Sequence, residues 1–361
     1  MTVHRIATIP GDGIGLEVVP AAQEVLALSG ERHGFRLEWT EFDWSCEYYT
    51  RTGRMMPTDG LDQVAGFDAI FLGAVGYPGV PDHVSLWGLL IPMRRAFAQY
   101  VNLRPVKLLR GIESPLRGIE PGDLDFVVIR ENNEGEYSEI GGRLYRGTPR
   151  EMAVQEAVFT RAGVQQVMRY AYDLARTRRG ELASATKSNG IIHTMPFWDE
   201  LFREIGGDYP DVATREYHID ALAGLFVLDP RRFDVVVASN LFGDILTDLG
   251  AAIVGSIGIA PSANLNPERE HPSMFEPVHG SAPDIAGQGI ANPLGQIWSG
   301  ALMLDHLGHP AAAAELVDAM EDVLAAGTRT PDLGGTATTA QVTAAVRDTL
   351  VSRPLDTGSG R

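Results

Sequence analysis

The chain has 361 residues, a formal net charge of −17 and 44% hydrophobic residues. That length predicts two domains or one large one with ample core, and the acidity argues against nucleic acid or an anionic membrane surface as partner. Cys46 is the single cysteine, so an intrachain disulfide and a one-chain thiolate metal cluster are excluded.

The chain opens with a strand over 5–9, the turn Gly11-Asp12-Gly13-Ile14-Gly15 and a helix over 17–28. No charged leader precedes the strand and no apolar run is long enough to span a membrane, so the expected location is the cytoplasm. The turn tempts a dinucleotide-binding reading. However, the G-x-G-x-x-G fingerprint needs glycine where Leu16 stands, and its acid belongs about 20 residues on, whereas Asp12 sits in the turn. The standard fingerprint is therefore rejected. Strands follow over 36–42 and 67–73, then a helix over 87–100 that holds Arg94 and Arg95, with Arg95 read as solvated surface. A buried strand over 125–130, an amphipathic helix over 155–176 and strands over 182–186 and 215–219 come next.

Residues 233–238 read as a strand buried on both faces, leading into Asn240-Leu241-Phe242-Gly243-Asp244-Ile245-Leu246-Thr247-Asp248. Asp244 and Asp248 are four apart and share one helix face, where like charges repel and suggest a compensating cation. Taken alone, such a pair reads better as acids favouring the helix dipole. Helices over 301–307, 311–326 and 339–350 and a polar, frayed tail over 353–361 close the chain. Strand–helix alternation predicts an α/β protein with mainly parallel strands. No Pro/Gly/Ser-rich linker separates two halves, so two domains would be crossed more than once. Of 30 basic residues only Lys107 and Lys187 are lysines. Lysine can lose its proton near neutral pH and arginine cannot, so Lys187 invites a chemical role, while Lys107 reads as surface.

Residues 274–293, M-F-E-P-V-H-G-S-A-P-D-I-A-G-Q-G-I-A-N-P, read as a long Gly/Pro-punctuated loop, a kind that is usually functional. Together with Ile9-Pro10-Gly11-Asp12-Gly13-Ile14-Gly15, Asn102-Leu103-Arg104-Pro105 and the 240–248 segment, it resembles the β-decarboxylating dehydrogenases. That family includes the isopropylmalate, isocitrate, tartrate and D-malate enzymes. The resemblance runs from Ile6 to about Leu350. Within the family, Asp82–Gly88, Arg130–Ser138 and Ala185–Gly190 look most like D-malate/tartrate dehydrogenases.

The resemblance implies an isopropylmalate dehydrogenase-like fold: two α/β domains, a central cleft and a non-Rossmann cofactor site. The expected domains are 1–103 with 256–361, carrying the cofactor loop, and 104–255, carrying substrate and metal residues and making a homodimer with shared active sites. The implied reaction is NAD- and Mg²⁺- or Mn²⁺-dependent oxidation at C2 of a small dicarboxylic 2-hydroxy acid, then loss of the β-carboxylate. Asp244 and Asp248, with Asp220 of the partner subunit, would hold the metal. Lys187, also across the subunit boundary, would accept the hydroxyl proton, and Tyr137 would protonate the enol carbon. Arg94, Arg104 and Arg130 would clamp carboxylates, with Leu90 beside the substrate.

On the cofactor side, His279 would lie near the adenine and Gly280, Ser281 and Ala282 would let backbone approach. Asp284 would accept from the ribose hydroxyls, Ile285 would pack nearby and Asn292 would hydrogen-bond the adenine. An acid at 284 opposes a 2′-phosphate, favouring NAD over NADP. Trp87 stands where isopropylmalate enzymes carry glutamate, and Gly190 where they carry an apolar side chain. The expected order is therefore (R)-malate, giving pyruvate and CO₂, then tartrate, then isopropylmalate. One small group discriminates by roughly 1–3 kcal/mol, so mixed specificity is expected. The alternatives are isopropylmalate dehydrogenase of leucine biosynthesis and a non-catalytic small-acid binding protein. Tyr137, Lys187, Asp220, Asp244 and Asp248 together argue against the latter.

Overall fold

The computed structural model describes residues 1–354, so most of the tail expected to fray, 355–361, lies outside the described residues. The chain begins β1 (Thr2–Gly11), α1 (Gly15–His33), β2 (Phe35–Glu41), α2 (Cys46–Thr52), α3 (Gly60–Val64) and β3 (Ala69–Ala74). It continues α4 (Asp82–Ser85), α5 (Ile91–Ala96), β4 (Val101–Lys107), β5 (Asp125–Glu131) and a hairpin of β6 (Gly141–Leu144) and β7 (Met152–Gln155). Next come α6 (Arg161–Thr177), β8 (Glu181–Thr186), α7 (Thr194–Gly206), β9 (Ala213–His218), α8 (Ile219–Leu228), β10 (Val235–Ala238) and α9 (Asn240–Ile253). The last elements are β11 (Pro261–Leu265), β12 (Ser273–Pro277), α10 (Leu294–His306), α11 (Pro310–Ala325) and α12 (Thr339–Ser352).

Ten strands form one sheet in the order β2-β1-β3-β12-β11-β4-β5-β10-β8-β9. Both ends are parallel, as the strand–helix alternation demands. The middle is not: β11 is antiparallel to β12 and to β4, and β4 is antiparallel to β5. The sheet is thus mainly parallel, as expected, with the antiparallel pairs confined to the place where the chain crosses between the two ends. At that crossing, buried amide groups donate to one another, although Oδ1 of Asn102 and of Asn132 has no partner among the described residues. Asn102 Nδ2 donates to Ser262 Oγ (2.8 Å) and Asn264 Oδ1 (3.0 Å), and Asn132 Nδ2 also donates to Asn264 Oδ1 (2.9 Å). Most buried polar groups are paired in this way.

Several elements differ from the sequence reading. Residues 273–277 are a central strand, β12, so the expected loop begins at Val278. The helix expected from 155 starts at 161, because β7 occupies Met152–Gln155 and Thr160 caps the helix by accepting the Gly163 N–H at 3.1 Å. The 87–100 helix ends at Ala96, and its first turns, Leu86–Leu90, are wound as a π-helix. Such wide turns often mark functional positions. The helix expected over 301–307 is the second half of α10.

β5 and β10 are buried almost throughout because α6 and α9 cover them. On α6 the buried set Val164, Val167, Met168, Ala171, Tyr172 and Ala175 repeats at three- and four-residue spacing, one helical face. Each fully buried apolar side chain of this size contributes about 1.5–3 kcal/mol. α8 and α9 are different: Val227, Leu228 and Ile245 stay exposed, Leu228 at 82%. Among the described residues no helix is long and apolar enough to cross a membrane.

Candidate active site

A cavity of about 230 Å³ opens beside the sheet crossing. Leu72–Val75, Leu86, Leu90 and Glu276–Gly280 form one side, and Arg94, Arg104, Arg130, Tyr137 and Asp244 complete it. Three guanidinium groups in one small cavity make an anion site, and the local structure explains each. Arg130 ends β5. Its Nε and Nη2 both donate to Asn240 Oδ1, at 3.1 and 2.7 Å, and its Nη1 donates to Asp244 Oδ1. Gly243 makes this geometry possible: a Cβ there would stand 2.6 Å from the Arg130 side chain. Arg104, on β4, donates from Nη1 to Thr247 Oγ1 (2.5 Å) and lies 3.6 Å from Asp244 Oδ1. Arg94, on α5, donates to Glu276 Oε1 at 2.9 Å, and that oxygen also accepts from Asn264 Nδ2 at 2.8 Å. The Nε atoms of Arg94 and Arg104 are buried without a partner among the described residues. Three guanidinium groups around one cavity make it favour a carboxylate.

Tyr137 donates its hydroxyl hydrogen to Asp244 Oδ2 at 3.0 Å, and the Arg130 guanidinium lies 5.5 Å from the ring centre. Burial, and then the Asp244 charge, raise the Tyr137 pKa above that of an ordinary phenol. Burial would raise Asp244, but Arg130 and Arg104 outweigh it and hold its carboxyl below the usual range. Asp248, one turn on, is raised by burial, with Asp244 adding to the effect. Raised and lowered carboxyls on one helix face are the electrostatic signature of a site built around charge.

Lys187 and Asp220 occupy a separate corner. Lys187 Nζ lies 2.8 Å from Asp220 Oδ1, and that hydrogen bond lowers the Asp220 pKa. Asp220 sits in the first turn of α8 and not at the end of the preceding strand, since Ile219 already belongs to the helix. Neither residue lines the cavity. Among the described residues no three His, Cys, Asp or Glu side chains converge as metal ligands.

The loop after β12 docks on the Gly-rich turn. Ser281 O accepts from the Ile14 N–H at 2.9 Å, and a Cβ on Gly13 would stand 2.1 Å from that oxygen. Glu17 of α1 accepts from the Gly287 and Gly289 N–H groups at 2.6 and 3.0 Å. His279 is buried and its Nε2 has no partner among the described residues; burial lowers its pKa, so the ring is neutral. Ala282 adopts φ 40°, Asp284 is exposed, and Ile285 packs near Ile14 and Val18. Asn292 is engaged inside the chain: Nδ2 donates to Asp332 Oδ2 (3.0 Å) and Oδ1 accepts the Leu294 N–H (3.0 Å). An adenine contact from it must therefore use the amide's second N–H or the backbone.

Sequence reasoning leaves Glu276, Asn240 and Thr247 unassigned. The signal for Glu276 was an acid inside an apolar run, Met274-Phe275-Glu276-Pro277-Val278, which reads as a strand with one buried charge. Trp87 does not line the cavity; its ring faces Arg95, which is therefore not simply solvated.

A family model described as isocitrate/isopropylmalate dehydrogenase matches residues 5–346. The chain belongs to that family. It is 58% identical over 345 residues to a probable tartrate dehydrogenase/decarboxylase of Bacillus subtilis (strain 168), covering 95% of this chain and 97% of that protein. It is 56% identical over 354 residues to a D-malate dehydrogenase [decarboxylating] of Escherichia coli (strain K12), covering 96% and 98%. Among solved structures, isocitrate dehydrogenase from Methylococcus capsulatus superposes with a TM-score of 0.86 at 34% identity, covering 96% of this chain and 99% of that one.

Proposed function

We propose that this enzyme oxidises (R)-malate at C2 with NAD and a divalent cation and releases CO₂ to leave pyruvate, and that it also acts on tartrate. The observation that carries the reading is the trio Arg94, Arg104 and Arg130 around one cavity, beside the Tyr137–Asp244 hydrogen bond. A four-carbon diacid needs both ends fixed, and three guanidinium groups lining one cavity suit its carboxylates. The names of the tartrate and D-malate relatives point to the same substrates.

The residues fit a divalent cation and NAD. Asp244 and Asp248 offer hard oxygen ligands on one helix face, and the orphaned His279 Nε2 and exposed Asp284 suit the adenosine half of NAD. When bound, the cation would supply positive charge at the substrate oxygens and NAD the hydride acceptor. The chain's own residues do the rest. Arg94, Arg104 and Arg130 orient the carboxylates, and Lys187 accepts the C2 hydroxyl proton. When the C3–C4 bond breaks, its electrons move to C3, and Tyr137 delivers its proton there. A raised pKa keeps that phenol protonated at neutral pH, and Arg130 steadies the phenolate left behind.

Lys187 and Asp220 lie outside the cavity, so a complete site needs a second copy of the chain. The exposed Val227, Leu228 and Ile245 of α8 and α9, with Ile140, Leu144 and Tyr145 around the hairpin, offer the apolar surface. We therefore read a cytoplasmic homodimer with shared sites. The domain division at 103/104 and 255/256 is kept, with β4 and the start of the β11 segment as the two crossings.

The test is NADH formation from D-malate, (+)-tartrate and 3-isopropylmalate, each with Mn²⁺ and with chelator. D-malate should lead in kcat/KM, and chelation should abolish the rate. Isopropylmalate ahead by more than tenfold would overturn the substrate; no oxidation of any diacid would return the chain to a binding role.

A further inference from the structure

Arg94 and Arg95 are neighbours on α5, yet their guanidinium groups do different work. Arg94 is buried against Glu276. Arg95 reaches the loop after β5: its Nη2 donates to the Tyr137 carbonyl oxygen at 3.0 Å, and its Nη1 lies 3.5 Å from Glu139 Oε2. Its guanidinium carbon stands 5.1 Å from the Trp87 ring centre. One side chain therefore joins the π-wound turn Leu86–Leu90, whose Leu86 and Leu90 line the cavity, to the backbone of Tyr137.

We infer that Arg95 is a positioning residue for the decarboxylating half of the reaction, setting the Tyr137 phenol against the substrate-facing turn 86–90. The inference rests on the reading of Tyr137 as proton donor. At its start the Tyr137 loop reaches the segment after α5 through Asn132, which donates to the Gln99 and Tyr100 carbonyls; at the level of Tyr137 it is tied to its own side, where Glu136 accepts from Ser239 Oγ and the Leu241 N–H, each at 3.2 Å, and Tyr137 bonds Asp244. Arg95 is the tie from α5. Glu139 is mostly exposed, and an ion pair of that kind contributes little. The weight falls on the carbonyl hydrogen bond and on the indole face, whose quadrupole attracts a guanidinium. Only a planar fork can stack on Trp87 and donate sideways to Tyr137 at once; lysine can do one of these.

Hydride transfer to or from C2 needs no proton at C3, whereas the last step does. Misplacing Tyr137 by a fraction of an ångström should thus separate the two. The experiment follows deuterium entry into the methyl group of pyruvate, in D₂O with Mn²⁺ and NADH, alongside the reduction of oxaloacetate by NADH. Relative to wild type, Arg95→Ala should slow methyl exchange about tenfold or more while reduction falls less than about threefold, with Arg95→Lys between. Unchanged melting midpoints show that the variants are folded. Parallel losses in both assays, or no loss of exchange, would overturn the inference. Tyr137→Phe runs beside them: if it exchanges as fast as wild type, or if wild type shows no exchange, the reading of Tyr137 falls and the assignment of Arg95 with it.

Discussion

Two parts of the candidate site are built in opposite ways. The wall made by Arg94, Arg104, Arg130, Tyr137 and Asp244 is interlocked: every arginine has a fixed partner, and the three guanidinium groups are buried. The corner made by Lys187 and Asp220 is open, and among the described residues the two side chains pair only with each other, with the Asp220 side chain 69% exposed. The wall is preorganised by one chain, as electrostatic catalysis requires. The corner belongs to a surface whose helices also leave Leu228 and Ile245 in water. On the proposed reading of shared sites, the difference teaches that one chain encodes a finished half-site and an unfinished one.

The largest expected effect comes from joining the halves. Lys187→Ala and Asp244→Asn homodimers should each lose roughly 10²–10⁴-fold in kcat, the range for removing a proton-transfer group or a key charge. Mixed and allowed to exchange subunits, they should regain about a quarter of the wild-type rate, because half of the dimers carry one intact site of two. Proven exchange without recovery would break the comparison, since both halves would then serve within one chain.

A smaller effect tests the surface. Leu228→Arg puts a charge where the second copy should cover apolar side chains. Association should weaken about ten- to hundredfold, equivalent to roughly 1.4–2.8 kcal/mol. Activity per chain should then fall on dilution and return on concentration, measured alongside sedimentation. A variant as active at nanomolar as at micromolar concentration, and still dimeric, would show that α8 faces solvent for another reason.

How far the sequence discloses this contrast depends on how each residue is stabilised. β5 and β10 are legible because apolar residues fill them on both faces, and Asp244 and Asp248 because their spacing is helical. β11 and β12 escape because their interiors hold Ser262, Asn264 and Glu276, polar groups paired across strands that no local pattern reveals. α8 has no place in the sequence reading, apart from Ile219 at the end of a strand, because its apolar residues run all round it, an arrangement suited to a helix covered on two sides. Lys187 is legible from its rarity among 28 arginines. Arg94 and Arg95 are indistinguishable by composition, and only the turn of α5 sends one to Glu276 and the other to Tyr137.

The smallest effect sharpens the claim that the wall is preorganised. Glu131, next to Arg130, is buried and accepts the Asn133 N–H at 2.7 Å and the Glu134 N–H at 3.0 Å, where the Tyr137 loop departs. Burial raises its pKa to about 7 from 4.5, although those N–H groups and Arg130 pull the other way. A raised acid binds its proton more tightly folded than unfolded. Its stabilising contribution is therefore complete below about 4.5 and declines as pH rises through about 7, because the folded chain must then bury a charge. Glu131→Gln removes the charge and keeps the shape. Between pH 5 and 8 its unfolding free energy should gain on that of wild type by about 2–3 kcal/mol, read from denaturant midpoints at several pH values. If the two pH curves run parallel, Glu131 stays ionised throughout. The start of the Tyr137 loop would then be held by a charge already satisfied at every working pH, making the wall still more rigid than its burial alone requires.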